Sequence, residues 1–445
     1  MEKWVASIFD REYKAKIEAT LFFPKIELTP SCKIQFANCS KKKYHKFMNK
    51  KISAFLSLYS SRFTIISLLF TLHSFLLADI NTGIDIRGRG YRTSTPFYGT
   101  PRETSRNFFE QRTKFYLEGH LKKDVGGEIK LQNFGIWGRE DESEFFLETA
   151  NISVKNTFGA VKIGRQNFML NDGLLINDNE NGLDGVTLET KLPFGFKANG
   201  AALKLVESST QNFSGGAADK DVYLISLKKN FSGKNIFINY IADIDKSSGT
   251  KNHSLIGLRY ESALVKELQW TVEIAKTAGS KKFSDALAYF LRINAFGDIS
   301  RIGKGGGFFL FASGSGDDAS SPVCEGFHPA VSFISESDGF GEYYMKNRGE
   351  GLDNSIENLQ IIGGGLSCSP QKYLNVLFNY FSYALMEKNI TGETAIGKEF
   401  DLGAEYSYTE NLGFRFVFSR FAPGAATATS GSSVRQILFE TNLTF

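Results

Sequence analysis

Charged side chains recur at two-residue spacing along this chain. Arg87 and Arg89 form one such pair, and Arg112 and Lys114 form another. Arg259 stands between Leu258 and Tyr260, and Arg415 between Phe414 and Phe416; Arg292 likewise lies opposite an apolar row. Two-residue spacing places side chains on one face of a β-strand. Cations aligned on such a face attract and order anions rather than make or break bonds. Arg165, in Gly164-Arg165-Gln166, joins this set as a candidate lining residue. Carboxylates fall on the same kind of face at Glu118, Glu261, Glu273, Asp401 and Glu405. They give the cations a second role, bracing a wall through ion pairs.

Groups suited to covalent chemistry are sparse. Beyond residue 78 the histidines are His120, His253 and His328, and no HxxxH, CxxC or nucleophile-elbow spacing occurs. A barrel hydrolase would need a Ser beside an inward His120, and no flanking motif supplies one. The run Asn177-Asp-Asn-Glu-Asn-Gly182 looks like half of a calcium loop, but its twelfth position is Leu188 where a Glu is required. Gly303-Lys-Gly-Gly-Gly307 lacks the Lys-Ser/Thr of a phosphate-binding loop. No enzyme, cofactor or metal is expected.

The elements that must hold the cations are strands. The 445 residues include 41 Phe and 43 Gly but only 9 Pro, with 14% aromatic residues. That composition excludes collagen-like, coiled-coil and disordered chains and favours β structure. The net charge of +4 is unevenly placed. Residues 1–78 hold 13 Lys and Arg against 5 Asp and Glu, leaving 39 against 43 in the remaining 367. The basic character belongs to the N-terminal segment, so the body gives no reason to expect nucleic acid as a partner.

Period-2 alternation recurs through that body. Phe115, Leu117 and Leu121 oppose Lys114, Tyr116, Glu118 and His120. Trp270, Val272 and Ile274 oppose Thr271 and Glu273, and Phe400 and Leu402 oppose Asp401. Eighteen strands are expected, the first near 81–91 and the last near 434–445. Links such as Thr157–Phe158 and Glu410–Asn411 are short, whereas Arg92–Arg106, Asn167–Gly182, Glu207–Lys220 and Gly314–Glu357 are long and polar. Short turns at one end and long loops at the other mark an outer-membrane barrel. A β-sandwich gives no reason for one-sided loop length. The fold class is therefore all-β, a transmembrane antiparallel β-barrel of about 18 strands. Gly314–Glu357, with Phe327, Phe333, Phe340, Tyr343 and Tyr344, is expected to pack into the lumen or over its mouth.

Residues 48–78 have the grammar of a signal peptide: Lys50 and Lys51, an apolar run from Phe63 to Leu77, then Ala78. An inner-membrane anchor is the rival reading, but the run is short for the ~20 residues of a spanning helix. Residues 1–47 are taken as an extension ahead of the true start at Met48, and 79–445 as the barrel. Cys324, in the long loop, and Cys368, at a turn on the other side of the membrane, are too far apart to bond. Phe445 heads an alternating row with Leu443, Phe439 and Ile437. Such a terminal row looks like the signal read by barrel-assembly machinery.

One stretch is more distinctive: Val161-Lys-Ile-Gly-Arg-Gln166, Asn171-Asp-Gly173 and Asn181-Gly-Leu-Asp-Gly-Val-Thr-Leu188. With Gly403-Ala-Glu-Tyr406 and Phe421-Ala-Pro-Gly424, it resembles the alginate-export family of outer-membrane porins. The chain departs from that pattern at Asn181-Gly182, where Arg is usual, and at Leu183, where Phe is usual. The resemblance implies a barrel pore over about residues 80–445.

The expected function is a porin-like channel in the outer membrane of a Gram-negative bacterium, passing small hydrophilic solutes, anionic or sugar-like. Its candidate lining residues are Arg87, Arg89, Arg112, Lys114, Arg165, Arg259, Arg292 and Arg415. A conduit for exopolysaccharide export is the alternative. Outer-membrane lipid is the expected surrounding, and a monomer or homotrimer the expected assembly.

Overall fold

A computed structural model of the chain describes residues 79–94, 106–122, 124–139, 144–170, 174–206, 219–245, 252–279, 286–299, 303–316, 326–332, 340–345, 356–389, 391–427 and 433–445. The expected signal segment 48–78, the extension 1–47 and Cys324 lie outside the described residues.

Nineteen strands are present among the described residues. They are β1 (Asp79–Thr93), β2 (Arg106–Lys122), β3 (Val125–Ile136), β4 (Glu144–Lys155), β5 (Gly159–Leu170), β6 (Ile176–Lys191), β7 (Phe196–Val206), β8 (Lys220–Phe231) and β9 (Lys234–Asp245). Then come β10 (His253–Val265), β11 (Leu268–Gly279), β12 (Leu287–Ile299), β13 (Gly303–Gly314), β14 (Val331–Ser332), β15 (Leu359–Gln371), β16 (Leu374–Ala384), β17 (Ala395–Ser407), β18 (Leu412–Pro423) and β19 (Val434–Thr444).

Eighteen of these form one closed antiparallel wall. Each pairs with its neighbour in sequence, β13 pairs across to β15, and β1 pairs with both β2 and β19. The closing seam runs from Asp85 opposite Thr444 to Thr93 opposite Gln436. The last residue belongs to it: the Phe445 amide donates to the Ile84 carbonyl at 2.9 Å, and the Ile84 amide to Phe445 O at 3.3 Å. Closure gives every backbone group of the wall an internal partner, which hydrocarbon cannot provide. The shortest wall strands have 11 residues. At ~40° tilt they rise about 28 Å, enough for an apolar band of about 25 Å.

The alternation sets the two faces. On β10, His253, Leu255, Gly257 and Arg259 are buried, while Ile256 and Leu258 are 50% and 52% exposed. A water-soluble protein would not leave such a row bare, but lipid covers it. The same outward row continues through Ile238, Ile274, Phe309, Leu402, Phe416 and Phe439. Ile437, Phe439 and Phe445 of the terminal row are exposed on this outer side.

Two departures from the expected strands concern the inside. β6 begins at Ile176 rather than near 183, because Asn177 and Asp178 pair with Met169 and Phe168 of β5. β14 is a two-residue strand within the longest connection, and it pairs in parallel with Ile176 and Asn177 of β6. Segments 174–178, 326–332 and 340–345 therefore turn inward. Leu175 shows how far they reach: a Cβ on Gly257 of β10 would stand 2.8 Å from its Cδ1.

Candidate functional site: the barrel lumen

The lumen has a charged arc and a covered arc. The charged arc is the inner face of β19, β1, β2, β3 and β4. Arg87 stands directly between Arg112 of β2 and Asn442 of β19. Arg89, two residues on, stands between Glu110 and Glu440. It pairs with Glu440 and reaches Glu110 at 3.5 Å. The Tyr91 hydroxyl donates to Glu110 at 3.1 Å, and Asn442 donates to Glu440 at 2.7 Å. Lys114 reaches past β3 to Glu148 of β4 at 2.9 Å. Cations and carboxylates thus interleave, with the like-charged pair Arg87–Arg112 at the centre.

The covered arc is the inner face of β7 to β13, β15 and β16 toward the long connections. There many inward side chains are apolar, Leu203, Val222, Leu224, Ile241, Leu255, Phe290 and Leu310, all buried, with Asn239, Asp243, His253 and Thr277 buried among them. Leu174, Leu175, Phe327, Phe340 and Met345 from the inturned segments belong to the same cluster. Polar atoms hold these segments in place. The Ala330 amide donates to the Leu175 carbonyl at 3.1 Å, and the Phe327 amide to Ser315 O at 3.0 Å. The His253 ring lies 3.2 Å from the His328 carbonyl.

The second anchor is a carboxylate. Glu399 of β17 accepts the amides of Tyr343 at 2.6 Å and Tyr344 at 2.9 Å. The Tyr383 hydroxyl of β16 donates to the Phe340 carbonyl at 2.7 Å and stands 3.0 Å from Glu399. Asp401 accepts the Glu342 amide at 3.3 Å. Tyr344 stacks on Phe421 at 5.1 Å with rings 12° apart. Beyond this anchor the Glu342 side chain pairs with Arg415 of β18. The connection therefore reaches four residues from the turn side of that strand.

Seven of the eight candidate cations face inward. Arg87, Arg89, Arg112 and Lys114 lie on the charged arc. Arg259 is buried between Glu261 at 2.8 Å and Glu273 at 3.1 Å. Arg292 donates to Asn294 at 3.0 Å and lies over the Phe308 ring at 5.3 Å. Arg415 meets Glu342 and, at 3.5 Å, Glu405. The bracing role is thus realised at Arg259 and Arg415.

Arg165 is the departure. It shares its strand face with Ile163, which is 56% exposed, whereas the neighbouring Gln166 is buried. The side chain donates to the Leu147 carbonyl of β4 at 2.8 Å and, on β6, to Asp184 at 2.9 Å and the Asn181 carbonyl at 2.9 Å. It ties three strands from outside the lumen. Gly182, at φ +72°, completes the brace, since a Cβ there would meet the Glu148 carbonyl at 1.9 Å. A Cβ on Gly164, at φ +120°, would meet the Ala150 carbonyl at 2.2 Å. The Gly-Arg-Gln and Asp-Gly elements are thus accounted for by wall construction. The alternation Val161, Ile163, Arg165 already carried this signal.

Glu342, Glu399 and Tyr383 are the site residues that the sequence does not reveal. The Asn177–Gly182 run is part of β6, where the Asn181 amide donates to Asp178 at 3.3 Å.

The fold is similar to several solved structures. Pseudomonas aeruginosa OccK9 (OpdG) has a TM-score of 0.56 and 11% identity, over 82% of this chain and 99% of that one. P. aeruginosa OccK2 (OpdF) has 0.56 and 13%, over 82% and 98%. Acinetobacter baumannii OccAB4 has 0.54 and 12%, over 82% and 98%. No family model matches the chain, and no curated protein matches it in sequence. These likenesses are of fold, a closed β-barrel, and do not support the alginate-export family. The closed wall and its apolar outer face place the chain in a Gram-negative outer membrane.

Proposed function

We propose that the chain is a passive channel through which small hydrophilic solutes, anionic or sugar-like, cross the outer membrane. One observation carries this reading: Arg87, Arg112 and Lys114 line one side of a lumen whose other side is filled by an inturned connection. A solute moves between a fixed charged wall and a packed apolar cap. The field across such a gap orders charged groups, and the narrowing sets the size limit. The barrel fold shared with the Occ and Opd structures supports the channel reading. Arg259, Arg292 and Arg415 extend the inner face away from this cluster, and Lys114, like Arg259 and Arg415, also braces the wall through a carboxylate. Arg89 serves mainly to position Glu440 and Glu110. The outward row ending in Phe445 is the proposed signal to barrel-assembly machinery.

Reversal potentials across a planar bilayer in a salt gradient test the proposal. Anion preference is expected, and it should fall when Arg87 and Arg112 are both changed to Ser. A clear cation preference of the native protein would reject the cationic arc as the selectivity element. Swelling of liposomes in neutral sugars measures the size limit separately.

A further inference from the structure

The outer face carries a feature that neither pore nor loop explains. On four consecutive strands of the wall, the lipid-facing row is apolar until it nears the long connections, then turns basic. On β17 the row runs Leu402, Phe400, Lys398. On β18 it runs Phe416, Phe418, Arg420. On β19 it runs Phe439, Ile437, Arg435, and on β1 Ile86, Gly88, Gly90, Arg92. All four basic residues are exposed.

Register brings them together. Arg420 stands directly opposite Arg435. Lys398 is opposite Ala422, two residues beyond Arg420, and Arg92 is opposite Ile437, two residues from Arg435. Cβ atoms of directly opposed residues lie ~5 Å apart, with diagonal neighbours ~7–8 Å apart. Like charges directly opposed destabilise a sheet unless something neutralises them. Among the described residues none of the four makes an ion pair, and Arg420 has only the Ser433 hydroxyl, at 3.3 Å. The outward neighbours on the flanking strands are Ser382, Tyr380, Asn107 and Phe109. None is acidic. Elsewhere on this face, Arg165 has Asp184 at 2.9 Å, and Lys204 has Asp219 and Asp221 at 3.2 and 3.0 Å.

We propose that Lys398, Arg420, Arg435 and Arg92 form a site for the phosphate groups of a glycolipid in the outer leaflet. The inference rests on the barrel standing in the outer membrane with its long connections outward, as short turns and both wall termini at the opposite end require. Two guanidinium forks side by side match phosphate oxygens bidentately. The position also suits a lipid rather than free phosphate. Phe400, Phe418 and Ile437 lie just below the basic row, where acyl chains attached to the phosphorylated sugars would rest. The partner is the lipid A portion of lipopolysaccharide, with phosphates at the headgroup and hydrocarbon beneath.

The test uses the full barrel in detergent, titrated with bisphosphorylated lipid A and with dephosphorylated lipid A. Native protein should bind the phosphorylated form roughly tenfold more tightly. The Arg420→Ala/Arg435→Ala protein should lose that difference while keeping its single-channel conductance, because the changes face away from the lumen. Arg420→Lys/Arg435→Lys, which keeps the charge, should retain part of it. Inorganic phosphate alone should not displace the lipid. Equal binding of both lipids by the native protein overturns the site without an altered chain, whatever the variants do. Displacement by inorganic phosphate at matched concentration would overturn the lipid assignment. Lost conductance in the native protein would instead count against the channel reading.

Discussion

The two arcs of the lumen are built from the same alternating strands yet differ in how much apolar surface they turn inward. The charged arc carries Arg87, Arg89, Glu110, Arg112, Lys114 and Glu440, and the covered arc carries Leu203, Val222, Leu224, Ile241, Leu255 and Phe290. Lipid dictates the outward row everywhere, so the inward row is where strands are free to differ. Inward apolar residues need something dry to touch, and on the covered arc the inturned connection supplies it. Inward charges need partners or water, and on the charged arc they find both. An apolar residue on the lumen side of a wide barrel thus marks where a loop has come to rest.

Changing Glu399 should break this contrast most strongly. Glu399→Ala leaves the amides of Tyr343 and Tyr344 buried without an acceptor. Each orphaned group costs about 1–3 kcal/mol. The 340–345 segment is expected to come away, raising single-channel conductance several-fold and exposing it to limited proteolysis. Unchanged conductance would mean that the connection is held elsewhere. Arg259→Ala comes next, since it takes an ion-pair partner from the fully buried Glu273 at a cost of up to about 3–5 kcal/mol. Its signature is a lower temperature for loss of the folded, heat-modifiable band, with conductance preserved in whatever protein folds.

Smaller effects sharpen the charged arc. Replacing Arg87 and Arg112 together by Ser should cut the anion-to-cation permeability ratio by roughly threefold while leaving the connection protected from protease. Selectivity that stays put would move the filter to the Arg415–Glu342 pair. Arg165→Ala should cost about 1 kcal/mol, because its pair with Asp184 is partly exposed and screened. It should leave reversal potentials untouched. A shift in selectivity with Arg165→Ala would contradict its outward placement.

The wall was legible in the sequence because lipid imposes a rule on every second residue. The eighteen strands, the antiparallel hairpins and the long connection all follow from that alternation. The anchor was not legible. Asp401 read as one more inward carboxylate and Glu399 was not singled out at all, and their partners are backbone amides nearly sixty residues away. Backbone donors leave no mark on sequence. The aromatic residues Phe340, Tyr343 and Tyr344 were the visible half of that contact. Asn177 and Asp178 were misleading in the opposite sense, since a polar run suggests a loop where β6 already pairs. Arg165 was placed by its motif when its parity with Val161 and Ile163 pointed outward.

The seam between β1 and β19 joins the earliest and latest strands of the wall. A nascent chain released even one hairpin short would present two raw edges, each a row of unmet amides and carbonyls in oil. Such a fragment has no halfway stage in which to wait inside the bilayer, so insertion has to behave as an all-or-none event that needs the closing strand β19. Stop codons anywhere upstream of Val434 are therefore expected to yield periplasmic debris rather than smaller, leakier pores.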